Sequence, residues 1–547
     1  MTGNFTFIDY LVFGCYAIGI IGLGLWVSRK KKGEERSAED YFLAGKALPW
    51  WAIGASLIAA NISAEQIIGM SGSGFAGGLA IATYEWMAAA TLIIVGKYFL
   101  PIFINKGIYT IPEFVEKRYN TTLKTILAIF WIALFIFVNL TSVLFLGAKA
   151  LDTIIGNGDG SIIIYAVLGL AFVAAAYSLY GGLGAVAWTD IIQVVLLVLG
   201  GVITTIIALN KVTPDGGIGN GISHMYETAG DKLHMILKRD NPEFNNLPGI
   251  GVLIGGMWIA NLYYWGFNQY IIQRTLAAKS LKEAQRGIAF AAFLKLIIPL
   301  FIVIPGILVF IMFTQPEGTS IIPGISDAFT KADGTVSYDK AYPWLISSFV
   351  PNGLKGLVVA ALAAAIVSSL ASMLNSTSTI FTMDIYRPYI NRNATNKQIV
   401  RVGRLSALAA LLIAIGCTKF LEDLPQVFQY IQEYTGVVSP GILAIFIMGL
   451  FWKKANARGA ITGAIFSIPI ALVLKLSIVD LPWMDQMLYT CIITMVIIMG
   501  VSLSTGKDGD DSKGIPLDSS LFKTGRAFNI STYVILLILT FLYTFFW

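Results

Sequence analysis

The stretch ANISAEQIIGMSGSG, residues 60–74, sets Asn61, Ser63, Glu65 and Gln66, then glycines at 69, 72 and 74, between two apolar runs. Amides and a carboxylate inside a membrane span carry a cost, a few kcal/mol for a charge. Such groups must therefore face protein or water, and the glycines let the helix break. A second segment, GGMWIANLYYWGFNQYIIQ at 255–273, carries Asn261, Tyr263, Tyr264, Trp265, Asn268 and Gln269. Paired interrupted segments in two halves of a chain point to inverted repeats around a binding site near the midplane. The alternative is a pair of kinked helices packed through small residues.

Other polar residues sit inside apolar runs. Glu85 follows Tyr84 in IATYEWMAAATLII, and an intramembrane carboxylate is a candidate for function. Lys295, in FAAFLKLIIPLF, either serves a site or snorkels toward the cytoplasmic interface. FQYIQEYTG at 428–436 brings Gln429, Gln432 and Glu433, as ligands or as the outer start of a helix. In AALAAAIVSSLASMLNSTSTIF, residues 360–381, small residues allow close packing, and most serines can bond back to their own helix. Adjacent Ser368 and Ser369, with carbonyls freed at a helix break, also make an oxygen site for a hard cation. Lacking a carboxylate, that set favours sodium over a proton. Every arginine falls in a loop or at a span edge, so no buried guanidinium is expected to clamp an anion. Amides, a carboxylate and aromatic faces instead suit a neutral polyol.

The elements that hold these groups follow from composition. The chain has 547 residues, 56% apolar and 13% charged, with mean hydropathy +0.73. A soluble domain is about 25% charged, so the expected class is an all-α polytopic membrane protein. At roughly 20 residues per crossing, the sequence divides into about 14 transmembrane helices. These include spans near 7–28, 48–70, 78–104, 161–180, 185–209 and 249–271. The first apolar run is followed by SRKKK, the reverse of a signal peptide, and reads as an uncleaved span. Alternate loops hold 26 Lys and Arg on the side of Arg29 and 9 on the other. That bias places the first side in the cytoplasm and both termini outside. No GxxxxGK[ST] phosphate loop occurs, and His224 and His234 share the polar stretch 210–248. Cys15, Cys417 and Cys491 are far apart within apolar runs and read as small core residues. No nucleophile–base or metal set suggests an enzyme, and no nucleic-acid partner is implied.

Six stretches occur in one order: EDYFLAGKALPWW (39–51), ASLIAANISAEQ, YSLYGGLGAVAWTDIIQ, ANLYYWGFNQYIIQRTLAAKS, AALAAAIVSSLASMLNST and FQYIQEYTG. Together they resemble the sodium/solute symporter family, nearest to its bacterial sodium/galactose (sodium/glucose-type) branch. The resemblance implies a five-plus-five inverted-repeat transporter core. Residues 1–47 would form an extra span and the first cytoplasmic loop, and 48–210 the first repeat. Residues 211–248 would be an outward loop, 249–451 the second repeat and 452–547 extra spans.

The implied function is sodium-coupled symport of a neutral monosaccharide, galactose or glucose in type, across a bacterial inner (plasma) membrane by alternating access. Another neutral solute such as myo-inositol or a nucleoside, or a sugar sensor without transport, is the alternative. Carried onto this chain, the family's pattern gives the sugar to Gln66, Glu85, Asn261, Lys295 and Gln432. It gives the outer gate to Met70, Tyr84 and Phe428, and the inner gate to Tyr264 and Trp265, with Asn61 bonded to Tyr264. Sodium falls to the carbonyls of Ala59, Ile62 and Ala365 and the hydroxyls of Ser368 and Ser369. Asp190 would lie near the ion's inward path, or else be a carboxylate in a helix's first turn. Ala88 departs from the family, which has a serine there, and leaves the preference between galactose and glucose open. Glu65 receives no role.

Overall fold

The computed structural model describes residues 5–27, 46–63, 65–108, 110–156, 158–315, 322, 324–331, 334–422, 424, 426–478, 480–506 and 511–547. The side chains of residues 21, 24–27, 65 and 177–188 fall outside this description. So do the basic run at 29–32 and most of the 39–51 motif.

The described residues are almost entirely helical, with two isolated bridges, Leu48 to Ala278 and Thr330 to Val336. Among them, 10 helices are long and apolar enough to cross a membrane. The four other expected spans are accounted for differently. Phe7–Val27, of 21 residues, is the expected first span, and the helical run that begins at Ile163 carries the fifth. The remaining two are the segments whose sequences read as broken.

The first break follows helix Trp50–Asn61, whose cap Ile62 leaves helical geometry at ψ 84°. The amide of Ser63 donates to Asn61 O at 2.9 Å instead of continuing the ladder to Ala59. A π turn, Glu65–Gly69, and helix Met70–Gly77 carry the chain on. At Gly78 φ is +80°, and a Cβ there would meet the carbonyl of Lys232 at 2.2 Å, so glycine is required twice over. With ψ at −151° as well, Gly78 interrupts the helical path between Met70–Gly77 and the turns and helices that run on to Asn105, so the boundary between the expected spans 48–70 and 78–104 falls there. The second break is at Asn268, extended at ψ 120°, between helices Gly256–Phe267 and Gln269–Leu276.

The expected spans 161–180 and 185–209 follow one another within the helical run Ile163–Lys211, of 49 residues. Val173 and Gln193 nevertheless line the same cavity, although on a straight helix they would be about 30 Å apart. The run therefore doubles back and supplies two arms.

Helix Leu281–Thr314 packs against Trp50–Asn61, Met70–Gly77 and Thr83–Ile94, and Leu354–Ile380 packs against the doubled run. The latter helix is buried on almost every side, which is why its sequence is so rich in Ala and Ser. The first and last helices are each tied to a distant segment. Phe546 O accepts from Met235 N at 2.7 Å. The Asp9 carboxylate accepts from the amides of Gly353 and Gly356 at 2.7 and 2.8 Å. The cysteines correct one expectation: Cys491 is buried, but Cys417 is only partly so and Cys15 is exposed. A helix that borders the bundle on one side leaves part of its apolar run facing outward.

Candidate functional site

The breaks, with helices Thr83–Ile94, Leu281–Thr314 and Val427–Phe451, bring Gln66, Glu85, Asn261, Lys295 and Gln432 onto one cavity. Asn61, Tyr84, Tyr264, Trp265 and Ala88 line it too. Lys295 is fully buried and does not snorkel. Its ammonium donates to Glu85 Oε2 at 2.5 Å and to Asn61 Oδ1, and lies 5.0 Å from the Trp265 ring centroid. Glu85 reaches it from the neighbouring helix, so the cation finds an anionic partner inside the bundle and has no need of the interface. The pair leaves the cavity with no net charge.

Four buried polar atoms of lining residues have no partner among the described residues: Gln66 Oε1, Tyr84 OH, Asn261 Nδ2 and Ser439 Oγ. Buried polar groups are nearly always hydrogen-bonded. Here an acceptor, an amide donor and two hydroxyls converge unpaired, which is the complement of a small neutral molecule with several hydroxyls. Ser439 was not singled out by the sequence. Its signal was a serine inside an apolar helix immediately before Pro440, where proline removes a backbone donor.

On one side of the cavity, Phe428 packs edge-on to Tyr84 with centroids 5.4 Å apart. Met70 is fully buried nearby in sequence. On the other side, Asn61 Nδ2 donates to Tyr264 OH at 3.1 Å, and that hydroxyl shares a 2.5 Å bond with Tyr270 OH. Trp265 lies edge-on to Tyr264 and donates to Asn261 Oδ1 at 3.2 Å.

The serine pair lies against the first break. Ser369 Oγ donates to Ala60 O at 3.2 Å, between Ala59 and Ile62, and both serines are fully buried. Ser368 Oγ donates to Asp190 Oδ1 rather than standing free. Asp190 lies near the start of the second arm of the doubled run. Its other oxygen accepts from Ser56 Oγ at 2.6 Å and from Arg274 Nη2 at 3.3 Å.

Arg274 overturns the expectation that no guanidinium is buried. It is 0% exposed and also donates to Ser56, to Ser372 Oγ at 2.5 Å and to Tyr270 O at 2.5 Å. The sequence placed it at a span edge; the break at Asn268 turns its short helix inward. Arg118 is buried as well, donating to Gly449 O and Ala455 O, both at 2.8 Å, at the end of Val427–Phe451. Neither arginine lines the cavity. Glu65 has its backbone in the π turn, and its side chain lies outside the described residues.

The chain matches the sodium:solute symporter family over residues 41–467. It is 61% identical over 542 residues to the sodium/glucose cotransporter of Vibrio parahaemolyticus, covering 99% of this chain and 98% of that one. To sodium/myo-inositol cotransporter 2 of Bos taurus it is 34% identical over 481 residues, 85% of this chain and 69% of that one. Its fold matches the substrate-bound, outward-open structure of a Na+-coupled sialic acid symporter with a TM-score of 0.78. That match covers 93% of this chain and 100% of the other at 24% identity, and it speaks for the fold alone.

Proposed function

Because this chain belongs to the sodium:solute symporter family, we propose that it carries a neutral monosaccharide of the galactose/glucose type into the cell together with sodium. It works by alternating access, as a carrier rather than an enzyme. One observation carries the reading: four unpartnered polar groups and a mutually neutralised Glu85–Lys295 pair line a single buried cavity. Sugar hydroxyls would pair with Gln66, Asn261 and Gln432, and would exchange for Asn61 on the Lys295 ammonium while Glu85 accepts. The Tyr84 and Trp265 rings would cover C–H faces. Met70, Tyr84 and Phe428 would close the outer side, and Tyr264 with Trp265 the inner.

Sodium would sit at the first break, on the carbonyls of Ala59, Ile62 and Ala365 and the hydroxyls of Ser368 and Ser369. The interrupted ladder at Ser63 and the bond from Ser369 to Ala60 support this placement. Asp190, held by Arg274, would border the ion's inward path. Asn61 ties the two ligands together: its side chain bonds Lys295 and Tyr264, while its backbone ends the broken helix. An ion that favours this geometry favours the sugar cavity, and by linkage each ligand raises the other's affinity.

The repeats would span 48–210 and 249–451, flanked by 1–47, 211–248 and 452–547, in the bacterial inner membrane with both termini extracytoplasmic. Ala88 sets a methyl in the cavity wall and would tune the choice between sugars. The neutral lining also admits myo-inositol, the solute for which the bovine relative is named.

Equilibrium binding of labelled glucose and galactose to the purified protein tests the assignment. Affinity should rise in sodium relative to potassium, with myo-inositol as the competitor that ranks the solutes. Equal affinity in the two salts would overturn the shared sodium–sugar site.

A further inference from the structure

Away from Lys295, a second cavity of about 250 Å³ lies between the first helix, both arms of the Ile163–Lys211 run and the Leu354–Ile380 helix. Its walls are short where the helices come near each other, at Gly169, Ala363 and Ala364. Packed interiors seldom leave apolar space of this size, and helix faces of small residues ordinarily close on one another in a membrane. Here a cleft stays open between helices that are otherwise in contact.

Two lining residues hold polar atoms that are unpaired among the described residues. Gln193 is 1% exposed, and neither its Nε2 nor its Oε1 has a partner there; the Tyr16 hydroxyl is likewise buried and unpaired. Inside a bilayer there is no bulk water to supply the missing bonds. Gln193 lies one turn beyond Asp190, whose two oxygens are taken by Ser56, Ser368 and Arg274, so that cluster does not satisfy the amide.

We propose that this cavity binds a neutral, membrane-soluble alcohol. One hydroxyl accepts from Gln193 Nε2 and donates to Gln193 Oε1 or to the Tyr16 oxygen, while an apolar body fills the remaining space. Among the described residues no charged side chain lines the cavity, so an ionised head group would enter without a counter-charge. Ile18 and Phe172, each 74% exposed, lie on the same two helices and point outward, where lipid is the solvent. The ligand is therefore one that dissolves in the bilayer. Bound there, it joins the first helix to the helix that carries Ser368 and Ser369.

The test uses the full-length protein in phosphatidylcholine nanodiscs with a diazirine-bearing decanol as photoprobe. Labelling is expected to saturate, to fall on peptides from 7–20 and 354–380, and to be displaced by unlabelled decanol. Gln193→Leu, which removes the amide, should weaken saturable labelling by about tenfold or more, the effect of one lost buried hydrogen bond, and Ala364→Leu, which fills the cavity, should weaken it at least as much by excluding the probe's apolar body. Each variant is first checked for a cooperative melting transition. If Gln193→Leu lacks one, Gln193→Asn, which keeps an amide but withdraws it, takes its place. Labelling that does not saturate, spreads evenly over lipid-facing helices, or is unchanged in the variants overturns the site. The readout needs no transport, so failure of sodium-driven sugar uptake leaves it standing.

Discussion

In the proposed function, the Lys295–Glu85 ion pair would serve a neutral ligand. At 2.5 Å and almost wholly buried, each compensates the other and both keep hydrogen-bonding capacity toward the cavity. Removing only one partner strands the other charge. Lys295→Met should therefore destabilise the protein by about 3–5 kcal/mol, whereas Lys295→Met with Glu85→Gln should regain most of that stability. Neither variant should take up sugar; thermal melting and uptake assays separate the two effects. Among the oxygens at the break, Ser369→Ala should raise the sodium concentration for half-maximal uptake by about tenfold, through loss of one ligand contact. An unchanged sodium dependence would remove Ser369 from the ion's ligands. At this scale the sequence was informative wherever a titratable or amide group interrupted an apolar run, as with Gln66, Glu85 and Lys295. It failed for Arg274, because distance along the chain from an apolar run does not say whether a short helix turns in or out. Ser439 escaped for a related reason: a lone serine is common in membrane helices and gains meaning only beside an orphaned neighbour.

The elements hold the site through close approaches that the residues permit. Gly69, in the π turn, faces Phe428 so closely that an added Cβ would lie 2.5 Å from the Phe428 Cβ. Gly69→Ala must push the Val427–Phe451 helix away from the turn that carries Gln66. The expected cost is about 1–3 kcal/mol of overpacking, together with a weaker sugar affinity in binding titrations; an unaltered affinity would dissociate this contact from the cavity. Arg118 acts at the far end of the same helix, where its guanidinium donates to carbonyls that have no helical partner. Both breaks were legible, since glycines and amides inside an apolar run mark where a membrane helix gives way. The two arms of the Ile163–Lys211 run were legible as the spans 161–180 and 185–209, but the place where the run reverses was not. Apolar periodicity reports which residues avoid water, and it carries little information about where a continuous helical run changes direction.

Across the whole molecule, the first and last helices are tied to distant segments, Asp9 to the amides of Gly353 and Gly356 and Phe546 O to Met235 N. The turn Tyr338–Lys340 lies over Gly72, and Asp339 accepts from Val427 N at 3.2 Å with Lys149 at 3.8 Å. Burial pushes the Asp339 carboxyl above its ordinary 3.8, despite the opposing pull of Lys149. Below that ordinary value both folded and unfolded chains are protonated, and the group contributes nothing. As pH rises past it, the unfolded chain loses its proton first, so this contribution to stability falls until the folded carboxyl ionises too. Melting temperatures of wild type and Asp339→Asn, compared from about pH 4 to about pH 7, should shift in favour of the variant as pH climbs. A shift the other way would mean that Lys149 governs the carboxylate. The class of protein was legible from composition, and the family from ordered motifs. The buried Asp339–Lys149 contact was not, because the two residues lie far apart in sequence and each reads as a loop charge.

The proposed function would unite the two candidate sites by coupling, so that sugar would move only with sodium. Purified protein in liposomes, loaded with potassium and diluted into sodium, should accumulate labelled glucose or galactose above the outside concentration, and should stop when the sodium gradient is collapsed. Accumulation driven equally well by a proton gradient in sodium-free buffer, or simple equilibration of sugar regardless of the sodium gradient, would contradict it.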